Sequence, residues 1–489
     1  MHDKTRSDAK RHLESAAVLF GVPVFGLVAG EGLLLYLENQ FAEAAAKLVG
    51  RNAELPTLRS SCEQPRFRSA AGAICETHDH IMLMRDASLW VAFAAMVLVA
   101  AIWAAARLAQ GNRRLLAVLF APGVKLVLLA LFAMIVVQGA ILAYGVYIVE
   151  AIAIHRVHYV LVGAMAIGAA IGAVMMISAG FRLSRQTPVP AMAVEIQEHE
   201  QPGIWKLVSD IADKLGARRP AHLIVGLEPT FYATASDVAL IGSSTILSGE
   251  TVYVSLPLMR LLATQEFAAV IAHELGHFKG EDTVYSLRFV PIYKSLGHAL
   301  HSLSGHEGAS SFALIPAATL LGFFLERFAI AERGIGRQRE LEADRAGASV
   351  AGEEPLASAL IKVSTCAAGW QFVRSAMADA LDHGKTLTNA SRFLRLHVAE
   401  VLQAADKSQL LSEIATSRLD HPTDTHPPLA ERLKALGIDV ADGSRWLVLG
   451  EQTAIDILMD AERIEEGLTD SLAGMFLRLG YASLPDKPD

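Results

Sequence analysis

The chain has 489 residues, of which 52% are hydrophobic and 19% are charged, and its formal net charge is −8. Soluble domains carry roughly 25% charged residues, so this composition favours a membrane protein. The net charge is mild and no block of basic residues occurs, which leaves nucleic-acid binding without support. The length allows two or three domains.

Four apolar segments in the first 186 residues are each about long enough to cross a bilayer as a helix. They cover residues 15–37, 87–106, 126–149 and 157–181. The first contains one acid, Glu31, which we expect at the bilayer interface, and the other three contain no Asp, Glu, Lys or Arg. The first segment is also too long for a cleaved signal peptide. The sequence therefore predicts an N-terminal membrane domain over residues 1–186 with four transmembrane helices.

Basic residues set the orientation of these spans. They cluster before span one, after span two and after span four. All three clusters lie on the same side if the spans alternate, and the positive-inside rule makes that side cytoplasmic. Residues 38–86 then form an external loop, where Cys62 and Cys75 can either pair in an oxidising compartment or remain two free thiols. Cys366 falls on the cytoplasmic side, where we expect it to pack in a helix.

The segment TQEFAAVIAHELGHFKG, residues 264–280, carries the first chemical motif. Its apolar residues recur at helical spacing, and the hydroxyl of Thr264 is placed to cap the helix start. His273 and His277 are four residues apart, so both can bind one metal ion from the same helix face. Glu274 is placed beside the water that such a metal activates. The alternative is a surface helix with two solvated histidines.

A second motif follows in RQRELEADRAGA, residues 337–348. Glu340 and Asp344 share a helix face, and in isolation the segment reads as an exposed, salt-bridged helix. When the segment follows an HExxH motif, the same residues can supply the third zinc ligand and an acid that orients a ligating histidine. Glu340 is a candidate third ligand, and Asp344 a candidate acid that orients a ligating histidine.

HExxH, ELEAD and the later THPPLAERLKAL together resemble the membrane zinc metalloproteases of the HtpX and CAAX prenyl protease type, over residues 202–437. The resemblance implies an α+β, mostly α fold: a multi-pass membrane domain followed by a zincin-like (gluzincin) metallopeptidase domain, here residues 187–437. It implies one Zn²⁺ ion per subunit. The residues that match the family's functional positions are the zinc ligands His273, His277 and Glu340, the catalytic base Glu274, the oxyanion donor His426 and the structural clamp Arg432.

The same resemblance implies an edge strand that pairs with an extended substrate. The matching segment is TFYATAS, residues 230–236, and the candidate contacts are Phe231, Tyr232, Ala233 and Thr234. Its alternation of aromatic and small residues suits an exposed strand. The family often begins this strand with Asn, whereas this chain has Thr230, which puts one substrate contact in doubt.

An apolar stretch at residues 308–325 separates the two metal-binding motifs. A single crossing there would place the motifs on opposite sides of the membrane, although they must meet at one ion. We therefore expect residues 286–325 to form a membrane-associated hairpin, with a re-entrant element or a buried helix as alternatives. Residues 438–489 are expected to form a C-terminal helical tail.

The sequence thus predicts a membrane-anchored zinc metalloendopeptidase of the cell (inner) membrane with a cytoplasmic active site. Its predicted partners are polypeptide substrates, membrane proteins among them, and the lipid bilayer, with no nucleic acid. An antibiotic-sensing signal transducer and a catalytically inactive scaffold are the alternatives. A site-2 type intramembrane protease fits less well, because charged residues crowd both ends of the HExxH helix.

Overall fold

The structure is a computed structural model that describes residues 2–49, 56–183, 188–278, 309–416 and 427–483. The chain divides into two compact units. The first unit comprises Met1–Gln110, Val118–Gln186 and Ile292–Ala331. The second unit comprises Gly111–Ala117, Thr187–Pro291 and Glu332–Asp489.

The first unit is built from long helices. They are α1 (His2–Val49), α4 (Gly72–Ala109), α5 (Arg113–Val149) and α6 (Tyr159–Leu183), with a π-helix at Glu150–Ile154 after α5. The first three predicted spans fall within α1, α4 and α5, and the fourth begins two residues before α6. All four contain stretches long and apolar enough to cross a membrane, as judged by length and composition.

Among the described residues a fifth stretch, Glu353–Asp382, meets the same criterion. It lies in the second unit and consists of two helices, α11 (Glu353–Cys366) and α12 (Gly369–Asp382). Its apolar side chains, including Ile361, Trp370 and Val373, belong to the core of that unit. Packing against the core therefore accounts for its apolar composition.

A hydrogen bond between spans one and three repairs a break in α1. Pro23 lies inside that helix and has no N–H to donate to the carbonyl of Leu19, four residues earlier. The buried amide of Gln138 in α5 donates to this carbonyl instead, at 3.3 Å. A carbonyl that would otherwise lack a partner in a low-dielectric environment is thereby satisfied.

Glu31 of span one pairs with Arg85 of α4, with 3.2 Å between the carboxylate and the guanidinium. Gly30 allows this approach, because a Cβ there would lie 2.9 Å from the Cβ of Arg85. The single acid of span one therefore has an ion-pair partner that local sequence did not indicate.

The loop between spans one and two is folded. It forms α2 (Leu58–Cys62) and α3 (Pro65–Ala70), and Glu38 at the end of span one accepts a hydrogen bond from the backbone N–H of Leu58 at 2.9 Å. Cys62 and Cys75 form a disulfide. The alternative of two free thiols is therefore wrong, while Cys366 is a buried free thiol in a helix, as predicted.

The second unit contains a four-stranded sheet of order β2-β3-β7-β4. Its strands are β2 (Ala193–Glu195), β3 (His222–Gly226), β7 (Thr251–Ser255) and β4 (Tyr232–Thr234). The central strands β3 and β7 are parallel and rich in buried Val, Leu and Ile, as expected of strands covered on both faces. The short β4 lies at the sheet edge, antiparallel to β7.

Each face of this sheet is covered by a different layer. On one face, side chains such as Val225 and Val252 pack in a core with helices α7 (Pro202–Leu215) and α9 (Thr264–Gly276). On the other, Ile224 and Tyr253 pack against a three-stranded sheet of order β1-β5-β6. That sheet comprises β1 (Val189–Ala191), β5 (Val238–Leu240) and β6 (Ile246–Leu247).

The remaining helices complete the second unit. They are α8 (Leu256–Met259), α13 (Ala390–Ala404), α14 (Lys407–Thr416), α15 (Leu429–Ala435) and α16 (Ala461–Leu479), with 3-10 turns at Val440–Trp446 and Ala454–Ile457. The segment after residue 438 shares the core of this unit: Leu468, Leu472 and Phe476 of α16 belong to its main hydrophobic cluster. Buried Glu465 of α16 pairs with Arg260, at 2.7 Å.

Helix α10 runs without interruption from Ala309 to Ala351. The apolar stretch therefore does not end in a turn near residue 325 but continues into the helix that carries Glu340. Residues 286–308, the first half of the predicted hairpin, lie outside the described residues, so the hairpin stays a prediction.

Candidate active site

Helix α9 begins at Thr264, as predicted, but the residue at its N-cap is Ala263. The expected cap by the Thr264 hydroxyl is therefore wrong. Glu266, three residues after the N-cap, stabilises the helix start by a different bond: its carboxylate accepts a hydrogen bond from the backbone N–H of Ala263 at 2.8 Å. The same buried carboxylate binds the ammonium of Lys362, also at 2.8 Å, which anchors the start of α9 to α11.

Two glycines let α9 and α10 approach closely. A Cβ on Gly276 would lie 3.1 Å from the Cβ of Ala346, and a Cβ on Gly347 would lie 2.8 Å from the carbonyl oxygen of Ala269. Larger residues at these positions would force the helices apart. The small residues thus bring the two motifs of the sequence together.

At this crossing, His273, His277 and Glu340 form a group that could hold a metal ion, with their ligand atoms all within 4.8 Å of one another. Nε2 of His273 lies 3.5 Å from one Glu340 oxygen, and Nε2 of His277 lies 3.6 Å from the other. His273 and Glu340 are buried.

The spacing and chemistry of these donors fit a zinc ion. Hydrogen bonds between nitrogen and oxygen have typical lengths of about 2.7–3.2 Å, shorter than either distance. By contrast, ligand atoms at zinc-bond lengths of about 2.0–2.2 Å and a tetrahedral angle are separated by about 3.3–3.6 Å. Two imidazole nitrogens and one carboxylate also make a three-ligand set typical of catalytic zinc.

Asp344, one turn after Glu340, contacts the other side of His273. Its Oδ1 lies 3.0 Å from Nδ1 of His273, and Arg432 binds both of its oxygens, at 2.9 and 2.6 Å. Burial would raise the pKa of Asp344, but the guanidinium of Arg432 and the His273 ring outweigh burial and hold the pKa below its usual range. Asp344 is therefore ionised and accepts the Nδ1 proton, which turns Nε2 of His273 toward Glu340.

The protonation of His273 responds to the same neighbours. Burial lowers its pKa, but the nearby carboxylates of Asp344 and Glu340 prevail and raise it to about 10. Burial likewise opposes the charge of Arg432, yet Asp344 keeps the pKa of this arginine raised. Without a cation the acids thus favour a proton on His273, and a metal ion would have to displace that proton from Nε2.

Glu274 lies next to the edge of the four-stranded sheet. The backbone N–H of Ala233 in β4 donates to its carboxylate at 3.2 Å, and Glu274 is buried. The predicted edge strand and the predicted base are therefore neighbours.

The strand itself is shorter than the predicted segment. It begins at Tyr232, and Phe231 precedes it with a buried ring that packs on Phe267 of α9, at 6.0 Å between centroids. Tyr232 and Thr234 share one face of the strand, and Ala233 faces the core that contains α9. Of the four candidate contacts, Tyr232, Ala233 and Thr234 thus lie in the edge strand.

His426 lies outside the described residues, so its role stays a prediction. Sequence reasoning missed the ion pair of Glu266 with Lys362. A signal was present, because Lys362 is the only charge within the apolar run LASALIKVSTC of α11. A lysine at such a position needs a buried partner.

A series of apolar helices precedes an α+β unit, in which an HExxH helix meets a glutamate from a second helix. These features are typical of a membrane metallopeptidase. Residues 200–438 match the family model of peptidase family M48.

The chain is similar to proteins named Protease HtpX homolog. It is 29% identical to the one from Archaeoglobus fulgidus over 239 residues, which cover 47% of this chain and 65% of that protein. It is 25% identical to that of Burkholderia mallei over 263 residues, which cover 52% of this chain and 79% of the relative. The same identity and coverage hold for that of Burkholderia pseudomallei.

Proposed function

We propose that the protein is a zinc-dependent endopeptidase, anchored in the cell (inner) membrane with its active site on the cytoplasmic side. The observation that carries this proposal is the arrangement of His273, His277 and Glu340, whose donor separations of 3.5 and 3.6 Å suit joint ligands. Glu274 follows His273 directly and lies at the edge of a sheet where a peptide can bind.

Zinc bound by these residues would polarise the scissile carbonyl and make water acidic enough to react near neutral pH. Glu274 accepts the proton of the attacking water and delivers it to the leaving amine. His426 is assigned the task of donating a hydrogen bond to the oxygen that becomes negative. Asp344 and Arg432 hold His273 in the tautomer that leaves Nε2 free of a proton.

The edge strand supports cleavage within a chain. Among the described residues, no strand pairs with the outer side of β4. An extended polypeptide can add there as a further strand and continue in both directions, which does not require a free terminus. That arrangement supports the proposal of endopeptidase activity.

The function is tested with protein purified in detergent, by comparing Glu274→Gln with Glu340→Ala. Glu274→Gln keeps the shape of the side chain but removes the proton acceptor, so it should bind near-stoichiometric zinc and leave casein uncut. Glu340→Ala removes a ligand, so its zinc affinity should fall, and excess zinc should restore part of its activity.

Glu342→Ala is the matched control. It removes the same charge from the same helix, at a residue that accepts a hydrogen bond from Gln338 at 2.9 Å. This variant should retain zinc and casein cleavage. Substantial proteolysis by Glu274→Gln would show that the HExxH helix is not catalytic, and a zinc-loaded wild-type protein that cuts nothing would favour an inactive scaffold.

The orientation is tested separately. A reporter fused after Arg185, beyond span four, should read as cytoplasmic. Cys62 and Cys75 in the folded loop should resist thiol labelling until a reductant is added from the external side. An external readout at residue 185 would overturn the orientation without touching the zinc chemistry.

A further inference from the structure

The edge strand carries an aromatic stack that ends at the place where a substrate would bind. Tyr232 of β4 lies directly opposite Tyr253 of β7, and their rings stack with 4.8 Å between centroids and 6° between planes. This separation equals the usual spacing of about 4.7–4.9 Å between neighbouring strands. The two rings therefore form one cross-strand row.

The row can be followed across the sheet. Tyr253 pairs on its other side with Ile224 of β3, and Ile224 pairs with Glu195 of β2. Tyr253 is only 2% exposed, whereas Tyr232 is partly buried against the same cluster. Tyr253 covers one face of the Tyr232 ring, and a strand added beyond β4 would meet the other face.

Backbone groups fix how an added strand would be aligned. Ala233 donates its N–H to the carboxylate of Glu274 at 3.2 Å, and its partner in register on β7 is Val252. In an antiparallel pair, the N–H and the carbonyl of one residue point to the same side, so both groups of Ala233 face the outer edge. Since Glu274 occupies the N–H of Ala233, a substrate strand would bond to the Ala233 carbonyl, and one residue next to that contact would lie opposite Tyr232.

We propose that Tyr232 is a specificity-determining residue, whose outward ring face selects a phenylalanine or another aromatic side chain at one fixed distance from the scissile bond. The inference rests on the proposed peptidase function and deepens it. A strand added at the usual spacing places its side chain about 4.8 Å from the Tyr232 ring, within the range of aromatic pairs. Thr234 lies on the same face but has no aromatic ring, so we expect no aromatic preference opposite it.

The preference is measured with peptides of a polar background in which a single residue is Phe, Leu or Ala, placed at each position in turn. Cleavage sites are identified by mass spectrometry with the zinc-loaded protein in detergent. We expect kcat/KM to be about 2- to 10-fold higher for Phe than for Ala at one position relative to the cut, the size of a favourable aromatic pair.

Variants of Tyr232 test whether its ring causes the preference for Phe. Tyr232→Phe should keep it, because the stacking surface remains. Tyr232→Leu, which retains apolar bulk if Tyr232→Ala fails to fold, should lose the discrimination between Phe and Leu. Tyr481→Ala is the control, since it removes an exposed tyrosine of the same unit and should leave the preference intact. Binding of the same peptides to Glu274→Gln, followed by fluorescence anisotropy, should show the same order.

The outcomes separate the two proposals. Cleavage without a preference at any position, or a preference that survives in Tyr232→Leu, overturns the assignment of Tyr232 and leaves the peptidase function standing. A zinc-loaded protein that cuts neither casein nor any peptide overturns the function, and the specificity proposal with it.

Discussion

Asp344 and His273 are joined by a buried contact of 3.0 Å between Oδ1 and Nδ1. The contact links residues 71 positions apart in the chain and is fixed from behind by Arg432. A carboxylate behind a ligating imidazole sets its tautomer and raises its basicity, so its loss weakens metal binding.

Asp344→Asn should therefore lower zinc affinity by about 10- to 100-fold, although no ligand is removed. The neutral amide of the asparagine cannot balance the positive charge of buried Arg432, so the variant should also have a lower Tm. The dissociation constant is measured by competition with a chromophoric chelator. Asp379→Asn, an exposed aspartate of α12, serves as the control, and equal zinc affinity in both variants would refute the positioning role.

His426→Phe tests the oxyanion donor. Because this residue is assigned to the transition state and not to the metal, kcat should fall by about 10²- to 10³-fold with zinc content unchanged. Zinc is quantified by atomic absorption alongside casein turnover. Loss of metal from the variant would mean that His426 is a ligand.

Gly347→Ala tests the helix crossing. The added methyl would lie 2.8 Å from the carbonyl oxygen of Ala269, so α9 and α10 would have to separate. Overpacking of this kind costs about 1–3 kcal/mol, more than the gain of up to about 1 kcal/mol in helix propensity. We expect a lower Tm and weaker zinc binding.

Gly467→Ala is the matched control for that substitution. Gly467 lies within α16, and a Cβ there would meet nothing within 4 Å. The same exchange should then raise the Tm slightly through helix propensity alone. A Gly347→Ala variant that behaves like Gly467→Ala would show that the two helices are not in tight contact.

Gln138→Leu tests the bond between spans one and three. Removing the donor leaves the Leu19 carbonyl without its partner, and interhelical hydrogen bonds in membranes contribute about 0.6 kcal/mol on average. In Pro23→Ala the restored N–H can take over this carbonyl, so Gln138→Leu should cost less in that background. Unfolding in mixed micelles measures both differences, and equal costs in the two backgrounds would contradict the repair of α1 by Gln138.

Sequence reasoning could name the candidate ligands because their signals are local. HExxH and ELEAD each place two functional residues on one helix face, and their order in the chain indicated that Glu340 would meet His273 and His277. The edge position of Ala233 was likewise indicated by composition and by the resemblance. Spans one to four followed from length and apolarity, which need no knowledge of contacts.

Contacts between residues distant in sequence were not predicted, because the sequence around one partner does not indicate which residue it will contact. Gln138 with Leu19, Glu31 with Arg85 and Glu266 with Lys362 each join separate helices. The predicted cap at Thr264 was wrong for a different reason. Alanine is disfavoured at the N-cap, so the prediction chose the hydroxyl of Thr264, one residue after the actual N-cap Ala263. Glu266 compensates from within the helix.

The pairing of Arg260 with Glu465 limits both which substitutions the protein tolerates and where the chain can be truncated. Arg260 lies inside the region shared with peptidase family M48, which ends at residue 438, and Glu465 lies beyond it. Glu465 is fully buried and also accepts a hydrogen bond from Asn389 at 2.7 Å. Ending the chain where the family match stops would leave Arg260 without its carboxylate partner and expose the core that Leu468 and Phe476 cover. A substitution at Arg260 is consequently expected to require a matching substitution at Glu465. The segment after residue 438, which lies outside the family match, thus constrains a residue inside it.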